Sequence, residues 1–488
     1  MKTTKIVIIE RKLNIYNVNC IMNNTELILL LKSFNRTEIT RLGEFVKSEY
    51  FNKLKNLVKL YDILYKHFPD FNIEKEDIFN EVFTGEEFDD ARLRVLFSRM
   101  LSISKTFLGY ELYKGDRLGV LLNESRAMYR KGQLKSFRKS IKDTDRTLNE
   151  QEVKDETGLY KMYELTLLKN SVKGNYGLTE EDLREEENLL LLNSILSLLR
   201  TYITLMNRAS VLEFKDKTDR IEIIEPLISE FESHPLVKVY YSIYKLLKYP
   251  EKEELFSNCL RLLNESDRYF KSEDVFDLYV TLLNYCVLKT GNILFRKYKL
   301  TIYKTMIERG YLPREGMEFP YVYFNNIVNS AIESEEFDWG WEFLESNKGF
   351  LEPGMKDNII SLCEAKLYYG AKKYDEALNC LAKVSNPETD DVFYKLAIRD
   401  LQIKILFDMG HYESIYSAID SYVHYLNRSR ILNSSSKENY RLYLKYLKRL
   451  IDIITGNKND VGDFRIDLEQ EREFIFKNWI KEKAGKLA

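Results

Sequence analysis

Proline is nearly missing from this chain: there are eight in 488 residues, and none between Pro69 and Pro226. A sheet-rich protein of this size needs many turn residues, so their scarcity excludes most all-β architectures and favours long helices. An excess of charge of one sign is missing too. With 74 basic and 76 acidic side chains the formal net charge is −2, without the basic surplus through which nucleic-acid binders neutralise phosphate. Cysteine is sparse and odd in number. Cys20, Cys259, Cys286, Cys363 and Cys380 form no CxxC pair, which fits reduced core thiols and a cytoplasmic location better than a disulfide framework.

The residues that carry common chemistry are equally thin. His67, His234, His411 and His424 are the only histidines; none stands at HExxH spacing, and no Cys/His cluster approaches a zinc pattern. Glycine-rich phosphate loops and a GxSxG nucleophile elbow are absent. Acidic runs such as EEDLREEE (Glu180–Glu187) and GEEFDD (Gly85–Asp90) lie near helix starts, where negative side chains favour the macrodipole. Sequence therefore names no catalytic residue, no cofactor and no metal site, and the expectation is a protein that is not an enzyme.

No hydrophobic run stands free of charge. The best candidate for a membrane span, LLLLNSILSLLRTYITLM from Leu189 to Met206, contains Arg200 and follows DLREEE. It reads as the apolar continuation of a soluble helix, and no membrane association is expected. Residues 1–21 lack the long apolar core and small-residue cleavage site of a secretory signal. They read as a loose N-terminal extension, although KIVII within them is the one run with strand character.

What is present is helical periodicity. Hydrophobic residues make up 44% of the chain and charged ones 31%, with 34 Tyr and 27 Phe, a globular composition. Residues 22–115 read as an N-terminal helical bundle. Asn35 with Glu38 offers a capping box, followed by Ile39, Leu42, Phe45 and Val46 on one face. Leu54, Leu57, Val58, Tyr61, Leu64 and Tyr65 continue the pattern until Pro69 stops it. A later helix begins after Asp89 or Asp90 and keeps Leu93, Leu96, Phe97 and Met100 together. Such stripes demand burial against neighbours. Lys53, Lys55, Lys59 and Lys66 decorate this module, but the acidic stretch that follows leaves it near neutral, which argues against docking on DNA.

From residue 116 to 455 helices follow one another with short polar breaks, and one unit recurs. FDWGWEFL starts at Phe337, YDEALNCL at Tyr374 and YESIYSAI at Tyr412, separations of 37 and 38 residues. The fourth residue is Gly340, Ala377 and then Ile415, so a small-residue rule fails in the third copy. The unit around Ala377, with Leu381 four residues on and Tyr368 before it, resembles a tetratricopeptide (TPR) repeat. That resemblance implies close helix pairs stacked into a TPR-like α-solenoid, a right-handed superhelix. The order of SEYFNKLKNLVKLYDIL, IFNEVFTGEEFDDARLRVLFSRML and the late YDEAL unit is also similar to a family of large Bacteroidota helical proteins with degenerate TPR-like repeats. It implies the same fold and a bacterial, cytoplasmic protein, and brings no activity or site residue. In residues 456–488, GNKNDVG (Gly456–Gly462) reads as a linker. Phe474, Ile475 and Trp479 then mark a capping helix, which a stack with an apolar end requires.

The fold class expected is all-α. The function expected is a non-catalytic scaffold that binds a protein or peptide segment on a concave helical-repeat surface. One constellation offers a candidate ligand surface: Tyr422, Tyr425, Arg428, Arg430, Arg441 and Lys445. Cations beside aromatic platforms suit a nucleic acid or an acidic peptide, and a nucleic-acid-associated regulator is the alternative. Tyrosines packed under exposed cations explain the same pattern without a ligand.

Overall fold

The computed structural model describes residues 25–150, 155–209, 221–289, 292–313, 317–384, 392–429, 431–457 and 461–486. KIVII, Cys20 and the whole 1–21 extension lie outside these residues. Among the described residues the protein is all-helical, with 23 α-helices and no strand. It divides into two compact units between Asn193 and Ser194, inside one long helix.

In the first unit, α1 (Glu26–Lys32), α2 (Arg36–Lys47), α3 (Lys55–Lys66), α4 (Lys75–Val82) and α5 (Asp90–Gly115) share one apolar core. The Asn35 side chain accepts from the Glu38 amide at 2.9 Å, and the Asn35 amide donates to the Glu38 carboxylate at 2.7 Å, a reciprocal cap. Tyr61 of α3 donates to the Ile39 carbonyl at 2.9 Å, and Gly43 of α2 lies against that ring where a β-carbon would collide. Asp116 ends α5, and its carboxylate accepts from Gly119 at the start of α6 (Arg117–Arg130). Helices α6, α7 (Leu134–Asn149) and α8 (Glu156–Gly177) bury Leu118, Leu122, Phe137, Ile141, Leu148 and Leu165 together.

The leucine run lies in α9 (Glu180–Ala209), opened by reciprocal hydrogen bonds between Thr179 and Asp182. Leu192, Ile195, Leu196, Leu199 and Ile203 are buried, while Leu183, Leu190, Leu198 and Leu205 are exposed. Among the described residues this is the one helix long and apolar enough to cross a membrane by length and composition.

In the second unit, α10 (Ile221–Glu230), α11 (Pro235–Lys248), α12 (Glu254–Ser266), α13 (Ser272–Leu288) and α14 (Ile293–Glu308) precede the recurring region. There, α15 (Tyr321–Glu333) is followed by α16 (Phe337–Asn347), α17 (Lys356–Gly370), α18 (Tyr374–Lys383), α19 (Val392–Asp408), α20 (Tyr412–Arg428) and α21 (Ser434–Ile454). Each helix packs on the next, and α15 on α17 and α17 on α19 as well, a neighbour pattern consistent with a helical repeat. Phe337, Tyr374 and Tyr412 each open the second helix of a pair. At Gly340 an added β-carbon would lie 2.8 Å from Leu367 Cδ2 and 3.2 Å from Ala331 Cβ, so the small residue permits the close approach. Ala377 and Ile415 are fully buried at the same phase. Finally α22 (Val461–Gln470) and α23 (Lys477–Gly485) pack on α21.

Candidate functional site

The repeat places more than packing residues in phase. Asn329, Lys366 and Lys404 each stand eight residues before the opening aromatic of the following helix, and are 37 and 38 residues apart. One turn earlier come Asn325, Leu362 and Asp400; one turn later come Glu333, Gly370 and Asp408. Residues four apart share a helix face. A polar register therefore runs along one side of α15, α17 and α19.

These polar groups touch one another across helices. Lys366 Nζ donates to Asn325 Oδ1 at 2.5 Å and Asn329 Oδ1 at 3.1 Å. Burial lowers its pKa, against the opposing pull of Cys363, Asp400 and Glu333. The Tyr422 hydroxyl donates to Asp400 Oδ1 at 2.7 Å. Asp400 is only 6% exposed. Burial pushes its carboxyl up to about 7, although the Tyr422 hydrogen bond and the Lys404, Lys366 and Arg399 charges act the other way. Burial brings Lys404 down to about 8, with Asp400 opposing. A free charge of either kind in this setting is costly unless paired.

The partners come from α23 and the residue before it. Lys404 Nζ sits 3.6 Å from the Phe476 ring centroid and 5.8 Å from that of Trp479, within cation–π range. Asp408 accepts from the Tyr369 hydroxyl at 2.8 Å and pairs with Lys483. Phe476 meets Tyr443 edge-on at 5.1 Å, and Trp479 meets Phe407 edge-on at 5.1 Å. The Trp479 indole N–H interacts with the Tyr369 hydroxyl but outside good hydrogen-bond geometry. The Tyr443 hydroxyl is buried without a hydrogen-bond partner.

The residues singled out from sequence lie beside this register. Tyr422 is fully buried against Asp400 and presents no ring face to a ligand. Tyr425 is half-buried, with the Arg399 guanidinium 4.2 Å from its centroid. Arg428, Arg441 and Lys445 are exposed; Arg441 donates to Asn427 at 2.8 Å, and Lys445 lies 5.4 Å from the Tyr446 centroid. Arg430 falls outside the described residues. Tyr440, Tyr443 and Tyr446 are buried, so the exposed cations share no row of open aromatic platforms with these three. Sequence reasoning missed Asn325, Lys366, Asp400, Lys404 and Asp408. The signal that finds them is the 37–38 residue period applied to the first helix of each pair.

Other chemistry is thin among the described residues. No three His, Cys, Asp or Glu side chains gather to hold a metal. Burial raises the thiols of Cys259 to about 11 and of Cys286 and Cys363 to about 12, away from nucleophile range. Comparison with known proteins finds no matching family model, curated protein or solved structure.

Proposed function

We propose that the protein is a non-catalytic, cytoplasmic scaffold that binds a protein or peptide segment. In this reading residues 22–115 form an N-terminal helical bundle, and the later helix pairs form a TPR-like, right-handed α-solenoid. Stacked helix pairs make extended concave surfaces, but a fold alone does not supply a function. The observation that supports the reading is the polar register of Asn329, Lys366 and Lys404 on alternate helices. Packing alone gives no reason to place polar groups, two of them lysines, at repeat-equivalent, half-buried positions. Recognition of a segment laid across the helices does.

The test is purification of tagged full-length protein from its native cell under gentle salt, beside a Lys366→Ala, Asp400→Asn double variant. The scaffold reading expects a partner recovered by the wild type and lost by the variant. No partner above background, or equal recovery by both, removes it.

A further inference from the structure

The α19 end of the polar register, Lys404 and Asp408, is already occupied by part of the same chain. Helix α23 spans only nine residues, lacks a side-chain N-cap, and follows Phe476, whose backbone lies in the left-handed region at φ 59°. A helix this short does not persist alone in water, and a left-handed phenylalanine needs its surroundings to hold it. Those surroundings are α19, α21 and α22, the last through Lys481–Glu469 and the Lys477 bond to the Glu469 carbonyl. Phe476 sits between Lys404 and Tyr443, Trp479 packs against Phe407, and Lys483 pairs with Asp408. Spacings of three and four residues put Phe476, Trp479 and Lys483 on one stripe. Through Tyr369 the stripe also reaches α17. A segment that only closed the end of the stack would need neither the reach to Tyr369 of α17 nor the half-buried Asp408–Lys483 pair.

We propose that the face of α17, α19 and α21 is an exchangeable helix-binding site, held in cis by α23. The partner it fits is a helix carrying an aromatic, a second aromatic three residues on, and a lysine or arginine four beyond that. This rests on the scaffold reading and names the class of segment that the scaffold takes. The first aromatic lies under the Lys404 ammonium and against Tyr443. The second fills the space beside Phe407, and its cation answers Asp408. A tethered occupant competes at an effective concentration on the order of millimolar, so α23 masks the face until a better-matched helix displaces it. Its departure returns Lys404 and Asp408 to water, and their rehydration offsets part of the cost of undocking.

The test titrates a fluorescent peptide with the sequence of residues 471–486 into the full chain and into full-chain Trp479→Ala and Lys483→Glu variants. Apparent affinity is expected to be about tenfold or more tighter in the variants, as the cis competitor weakens. A peptide carrying Trp479→Ala is expected not to bind. Circular dichroism reports whether the variants stay folded, and limited proteolysis near residues 471–476 reports release of α23. Folded, released variants that leave the peptide unbound overturn the proposal. So does collapse of helicity in both variants, which makes α23 a structural part of the unit. Dimerisation of the variants that the peptide fails to inhibit assigns the face to a second copy, and overturns it as well. The scaffold reading stands or falls separately, on whether partner recovery depends on Lys366 and Asp400.

Discussion

Ala377→Leu tests a close helix contact of the recurring unit. Ala377 is fully buried at the fourth position of α18. At the equivalent Gly340, the 2.8 Å and 3.2 Å approaches to an added β-carbon show how closed this contact is. Leucine adds three carbons. In open space they would contribute about 0.8 kcal/mol each on burial. In a closed contact they displace rotamers and backbone at a cost of about 1–3 kcal/mol. Stacked pairs with a small residue at the crossing predict the second sign. Hydrogen exchange read by mass spectrometry measures it locally: protection of α17 and α18 amides should fall about 5- to 150-fold. The complementary change is Ile415→Ala, which opens a cavity at a fully buried site and should cost about 2–5 kcal/mol. Unchanged or increased protection in Ala377→Leu would refute the packing argument.

Three further expectations concern the register and its surroundings. Tyr422→Phe removes the hydrogen bond that Asp400 accepts, should cost about 1–3 kcal/mol, and should raise the Asp400 titration seen by carboxyl NMR; unchanged values of both would count against the contact. Asp400, raised by burial from 3.8 to about 7, contributes stability that is whole below about pH 4 and lost as pH rises through 7. Lys404, lowered from 10.5 to about 8, gives a recovering limb between pH 8 and 10.5. Urea melts should therefore show wild type losing stability relative to Asp400→Asn between pH 5 and 7.5, and parallel profiles would contradict the burial. For the nucleic-acid alternative, gel shifts at about 50 mM salt should show no complex. A complex that fades by about 200 mM and is lost in an Arg441→Glu, Lys445→Glu variant would replace the scaffold reading.

Local signals were legible in the sequence because their partners are close in it. Asn35 and Glu38 form the anticipated capping box, and the aromatics at 337, 374 and 412 open helices as their spacing implies. The polar register was hidden for the opposite reason. Asp400, Lys404 and Asp408 are charged residues four apart on a helix, a pattern that ordinarily marks a solvated side. Their burial depends on residues far along the chain: Lys483 meets Asp408 across 75 positions, and Tyr422 meets Asp400 from the next helix. Tyr422 was misleading in the same way. Tyrosine near arginine suits a surface platform or a core equally well until its hydroxyl partner is known.

Site-specific photo-cross-linking in the native cell offers the sharpest discrimination, with the reactive side chain placed once at position 366 and once at position 445. A face that holds a partner helix should give a protein adduct at 366 that weakens when Asp400→Asn is added, and no adduct at 445. Adducts confined to 445, or none at 366 above the unirradiated control, would contradict a segment-binding role for the helical repeat.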